Sequence, residues 1–156
     1  MITHAEIEER LRQFSDYEFS GSVPEDLILA AQLEFEGRFS ADFINFLKEY
    51  GSGYISSEEF IGLGGKNHLN IINVANHLRR PSTHSHFPPF LVPIRADGFG
   101  NYDCIDLSAS DDAHSRVVLW NHAAGDQLHP EVLADGYWEW FNGVLDILAE
   151  MDAQAD

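Results

Sequence analysis

FLVPIRADGFGNYDCIDL, residues Phe90 to Leu107, consists of two strand-like runs around a turn. Phe90–Ile94 and Tyr102–Leu107 flank Arg95-Ala96-Asp97-Gly98-Phe99-Gly100-Asn101. A loop of that composition reverses the chain readily, because Gly, Asn and Asp tolerate positive φ. The stretch also carries candidate chemistry: Asp97, Asp103 and Asp106 close to the glycines, and the only cysteine, Cys104. It can be read as a metal loop, a nucleophile's site or a structural hairpin.

The hairpin reading explains most. A calcium loop needs several oxygen ligands converging on one ion, and Asp97, Asn101 and Asp103 superficially supply them. The distal bidentate Glu of an EF-hand and a second acidic arm are both missing, so a tight turn with incidental acids fits better. Cys104 with His122 as base and Asp106 as orienter is a second constellation, but acidic surroundings disfavour a thiolate and cysteine commonly serves as a small buried hydrophobe. For zinc, His84-Ser85-His86 offers two ligands, whereas His77, His114, His122 and His129 show no ligand spacing. The expectation is therefore no catalytic residue, no metal and no cofactor, with any function at the tip, Asp97 to Asn101, being contact with a partner.

Upstream of the hairpin the pattern is helical. Thr3 and Glu6 form a capping box, with Ile2 and Ile7 at the staple positions, and Ile7, Leu11 and Phe14 make one stripe. Ser22-Val23-Pro24-Glu25 repeats the box pattern before a face of Leu27, Ala30 and Ala31. A third helix, Ala41 to Tyr50, is expected to be capped by Ser40, to bury Phe43, Phe46, Leu47 and Tyr50, to staple Phe39 onto Ile44, and to stop at Gly51-Ser52-Gly53. Short apolar runs at Phe60–Leu63 and Arg116–Asn121 read as further strands, with Trp120 buried at a strand end. In Tyr102–Leu107, Ile105 and Leu107 take one face and Tyr102, Cys104 and Asp106 the other. Leu69–Leu78 reads as a short helix and Arg80–Pro89 as a loop. A closing helix from about Gly136 to Glu150 carries Tyr137, Phe141, Val144, Leu145 and Leu148, with Trp138 and Trp140 extending its aromatic side. The pair reads most simply as core and core edge; two residues apart on a helix they cannot share one face, so an interface anchor at one of them is the alternative. Helices, then strands, then a helix indicate an α+β fold in a single domain over residues 1–156.

Composition narrows the functional classes. Twenty-six acids against nine bases give a net charge of −17. So few cations cannot displace the counterions of a nucleic acid, and the aromatic residues lack the Lys and Arg of a stacking surface. One cysteine makes no internal disulfide, the start lacks a signal-peptide pattern, and no apolar run spans a bilayer. A soluble, cytoplasmic protein is expected. The negative field favours a cationic partner, and Glu58, Glu59, Asp97, Asp103, Asp111, Asp112 and Asp126 fall on loops or strand ends where such a partner would meet them.

Two segments together resemble the SUKH superfamily. The first is Phe35-Glu36-Gly37-Arg38-Phe39-Ser40-Ala41-Asp42-Phe43, continuing through Phe46-Leu47-Lys48-Glu49-Tyr50-Gly51-Ser52-Gly53. The second is Leu91-Val92-Pro93-Ile94, Asp97-Gly98-Phe99-Gly100 and Asp103-Cys104-Ile105-Asp106-Leu107, followed by Val117-Val118-Leu119-Trp120-Asn121-His122. Phe39-Ser40 replaces the family's usual Leu-Pro, and Gly51-Ser52-Gly53 its Asn-Gly-Gly, with the same cap and stop physics. The resemblance covers roughly Phe35 to Leu148. It implies N-terminal helices and a C-terminal helix packed on a mainly antiparallel β-sheet, and no catalytic residue set. Bacterial members are commonly immunity proteins that neutralise a polymorphic toxin, while relatives of a fungal cell-wall regulator are binding scaffolds. The leading expectation is a bacterial immunity protein for a cognate toxin with a basic surface, of nuclease type for example. A regulatory or scaffold module is the alternative, and a metal-assisted hydrolase a more distant one. The expected contact residues are Glu58, Glu59, Asp97, Phe99, Asn101, Asp103, Asp111 and Asp112.

Overall fold

A computed structural model describes residues 2–80, 86–123 and 130–155. His84, Asp126 and His129, and much of the expected Arg80–Pro89 loop, lie outside the described residues. The chain opens with α1 (His4–Leu11), whose capping box forms as expected: Thr3 Oγ1 accepts from Glu6 N and Thr3 N donates to Glu6 Oε2. Ile7, Leu11 and Phe14 are buried. β1 (Tyr17–Phe19) and α2 (Glu25–Gln32) follow. α2 departs from the expected face: it buries Ile28 and Ala31, while Leu27 and Ala30 are exposed. Pro24 occupies its N-cap and no side chain closes the turn, so the Ser22 box does not form.

α3 (Ala41–Glu49) buries Phe43, Phe46 and Leu47, with Tyr50 half-buried just beyond. Gly51, at φ +74°, ends it through a bond from its N–H to Phe46 O, the left-handed stop that glycine favours. Ser40 has the extended backbone of an N-cap but makes no cap bond. Its hydroxyl donates to the carbonyls of Asp111 and His114 instead, while Ala41 N and Asp42 N donate to Asp112 O and Ala113 O. A distant loop therefore satisfies the first turn of α3.

β2 (Gly53–Ile55) pairs with β1 on one side and β3 (Glu58–Phe60) on the other, giving a three-stranded antiparallel sheet of order β1-β2-β3. A short 3-10 turn, Asn67–Leu69, leads into α4 (Ile71–Leu78), capped by Asn70 Oδ1. β4 (Leu91–Ala96), β5 (Tyr102–Asp106), β6 (Arg116–Trp120) and β7 (Glu131–Ala134) form a second antiparallel sheet in chain order. α5 (Tyr137–Ala155) closes the fold. The arrangement is α+β, as expected, with five α-helices and two antiparallel sheets among the described residues. No helix there is long and apolar enough to cross a membrane.

Phe60–Leu63 does not make one strand. β3 ends at Phe60, Ile61 N then reaches Ile94 O at the irregularity in β4, and Gly62 bridges to Asn70 in parallel. β5 is buried on both faces, so alternation does not divide core from solvent there. Trp140 of α5 meets the Asp103 face, while Phe87 packs on Trp120, which lies opposite Tyr102 on the other. Trp138 and Trp140 are both buried, as the core reading has it, and neither is left free as an interface anchor: Trp138 stacks on His4 at 5.0 Å and Trp140 meets Phe60 edge-on at 5.9 Å. α5 is enclosed by α1 on one side and the sheets on the other, so diverging side chains both find cover.

Candidate partner-binding surface

In the β4–β5 hairpin Ala96 lies opposite Tyr102 and Arg95 opposite Asp103. Residues 97–101 make the reversal. Asp97 N donates to Asn101 O at 3.0 Å, and Asp97 Oδ1 accepts from Phe99 N at 2.7 Å and Asn101 N at 3.1 Å. Gly98 and Gly100 take φ of +87° and +90°, as the turn demands. Asn101 Oδ1 also accepts from His122 N and lies 2.9 Å from His122 Nδ1, tying the tip to the end of β6. Phe99 makes the apex and is 82% exposed.

Beside this tip, β3, the 3-10 turn and α4 complete a groove of about 460 Å³. Glu58, Glu59, His68, Asp97, Gly98 and Tyr102 line it together with apolar Ile61, Leu69 and Val74. Glu59 stands exposed, its Oε2 2.7 Å from His68 Nε2. Burial, and then the negative charges of Cys104 and Asp97 when ionised, raise the Tyr102 phenol above its usual range. The groove is thus lined about equally by polar and apolar groups, with three carboxylates, Glu58, Glu59 and Asp97, among them.

The remaining acids are placed otherwise. Arg95 Nε bonds Glu58 Oε2 at 2.8 Å and its Nη1 bonds Asp103 Oδ2 at 3.1 Å, and Trp140 Nε1 donates to the same Asp103 oxygen at 2.9 Å. The Glu58 hydrogen bond is the main reason the guanidinium is held even more firmly protonated than usual. Asp103 is buried and joins β5 to α5, so it offers no face to a partner, and Glu58 is largely committed to Arg95. Asp111 and Asp112 are exposed, but on the loop that caps α3, outside the groove. Asp111 Oδ1 accepts from His114 N and Ala113 N, which holds its carboxyl below the usual range.

The Cys104–His122–Asp106 arrangement does not assemble. Cys104 is fully buried, and desolvation, with Asp103 and Asp106 adding to it, pushes its thiol well up. Asp106 Oδ1 is engaged by Ser108 N and Oγ, and His122 by Asn101. Neither orients the other. Among the described residues, no three His, Cys, Asp or Glu side chains converge on a metal position.

Of the eight expected contact residues, the structure brings Glu58, Glu59 and Asp97 to one groove beside Phe99, with Asn101 in the same turn. Sequence reasoning missed Arg95 and Asp42, whose buried carboxylate accepts from Ser115 N, Ser115 Oγ and Tyr137 N. Arg95 had a readable signal: a five-residue turn at 97–101 sets residue 95 opposite 103, a cross-strand pair of opposite charge. Asp42 had none, since its partners are 73 and 95 residues away.

Comparison with family models gives a match over residues 6–146 to the SUKH family described as SMI1-KNR4 cell-wall. No curated protein matches the chain.

Proposed function

The chain belongs to the SMI1-KNR4 family of SUKH proteins, and from that premise we propose that it is a non-catalytic protein-binding module, specifically an immunity protein that neutralises a cognate toxin. The observation that carries this reading is the groove itself. Glu59 and Asp97 line a groove of mixed polar and apolar character next to a phenylalanine standing almost wholly in solvent. An exposed aromatic beside a concave acidic surface suits a partner that offers a pocket for the ring and a cation for the carboxylates. The net charge of −17 would speed the encounter with a basic partner. In this reading Phe99 is the anchor, Glu59 and Asp97 supply the charge, and Glu58 and Asn101 hold the surface in shape. Asp111 and Asp112 add only to the long-range field.

The test is co-expression with any toxin encoded beside this gene. The wild-type protein should protect the cell and bind the toxin with an on-rate that falls steeply as salt rises. Phe99→Ala should weaken binding by about 2 kcal/mol, as for an interface anchor, and Glu59→Lys by about tenfold. If the neighbouring toxin is neither bound nor neutralised, the immunity reading fails. A regulatory binding module would then stand, which the cell-wall description of the matching family also favours.

A further inference from the structure

A surface helix ordinarily shows one apolar stripe, turned inward. α2 buries Ile28 and Ala31, yet Leu27 and Leu29 are 55% and 51% exposed, and Leu33, just past its end, is 84% exposed. Single exposed leucines need no explanation, but these are neighbours. Leu29 and Leu33 are one turn apart on the flank away from the groove, and the i,i+3 steps from Leu33 to Ala30 and from Ala30 to Leu27 carry the apolar surface round to the groove side. Leu27 and Ala30 also form one wall of an open, mainly apolar groove of about 370 Å³, closed opposite by Leu63, Gly64 and Ile72. Acids stand at both ends of the helix, Glu25 and Asp26 in its first turn and Glu34 beyond its last, and they outnumber the two nearby cations, Lys48 at 4.0 Å from Glu25 and Arg79 beside Glu34. This groove shares no residue with the one beside the hairpin.

We propose that the outer face of α2 and its groove form a second docking surface, whose occupant is a protein segment with apolar anchors flanked by Lys or Arg. Charge complementarity selects that occupant. A second copy of this chain would bring another −17 against the same acids, and an anionic membrane would be repelled likewise. An amphipathic basic helix satisfies the leucines and the acids at once, as in helix-in-groove recognition. The proposal does not depend on the toxin reading, since an immunity protein or a regulatory module could use the face alike.

The probe is a labelled synthetic helix of about 15 residues with leucines at i, i+3/i+4 and i+7 spacing and lysines elsewhere. Two counterparts replace its lysines by glutamate or its leucines by serine. Fluorescence anisotropy should show the Lys/Leu peptide binding and both counterparts failing. The surface double variant Leu27→Ser/Leu33→Ser should weaken binding at least tenfold with an unchanged circular-dichroism spectrum. Met151→Ser, at a comparably exposed apolar position on α5, should not. The proposal is overturned if the peptide does not bind, if the double variant binds as well as wild type, or if the serine counterpart binds equally. A concentration-dependent dimer that the double variant abolishes would assign the face to a second copy instead. Loss of binding to phosphatidylcholine vesicles in that variant would assign it to a membrane.

Discussion

Asp42 shows how much of this fold one side chain can hold. It sits in the first turn of α3, where a negative charge suits the helix dipole. Its carboxylate also receives Ser115 N at the start of β6, Ser115 Oγ, and Tyr137 N at the start of α5. Two helix N-termini and a strand end therefore meet on one buried group. Removing it leaves several buried donors unpaired, each costing about 1–3 kcal/mol. Asp42→Ala should accordingly lower the unfolding free energy in urea by at least about 3 kcal/mol. Asp42→Asn, which keeps one acceptor oxygen, should fall between that variant and wild type. A loss below about 1 kcal/mol for the alanine variant would show that the joint is held by packing alone.

At the scale of elements, legibility followed locality. The capping box of α1, the glycine stop of α3 and the β4–β5 hairpin were readable because their partners lie within a few residues of one another. β1, β2 and β7 were not, since three or four residues are too few to show a period, and β7 is exposed along most of its length. For the candidate site, the turn that presents Phe99 was legible, whereas the walls from β3 and the 3-10 turn come together only in the fold. Glycines divide along the same line. A Cβ on Gly98 would meet open space, so Gly98→Ala should cost only the positive-φ penalty, about 1 kcal/mol. Gly62 is different: a Cβ there would drive into the carbonyl oxygen of Gly51, where the end of α3, the chain after β3 and the approach to α4 converge. Gly62→Ala should cost more than about 4 kcal/mol or abolish folding. Urea melts of the two variants, side by side, separate a turn glycine from a packing glycine.

For the whole molecule, charge and burial act in the same direction. Five of the nine bases lie beside acids, mostly at the surface: Arg10 by Asp146, Arg12 by Glu9, Arg95 by Glu58 and Asp103, Arg116 by Asp135, and Lys48 near Glu25. With 26 acids to nine bases the remaining field is acidic, and each proton lost at high pH adds to a chain already at −17. Several neutral groups are protected by folding. Burial pushes the Tyr50 phenol up to about 12, with Glu8 and Glu49 adding to the shift. It pushes the Cys104 thiol and the Tyr137 phenol well above 9.0 and 10.0 respectively. A folded value above the unfolded one means that the native state holds its proton longer, so these contributions are intact below pH 9 and lost as pH rises toward the folded values. Stability should hold near neutrality and then fall between pH 9 and pH 12 as thiol and phenols titrate in the unfolded chain. Tyr137→Phe isolates one contribution, because the hydroxyl is buried without a hydrogen-bonding side-chain or backbone partner and its loss should cost nothing at pH 7 or stabilise by about 1 kcal/mol. The variant's urea midpoint should fall less steeply than that of wild type above pH 10. Parallel curves for the two proteins would mean that Tyr137 does not resist ionisation in the folded state, and that repulsion across the acidic surface alone sets the alkaline limit.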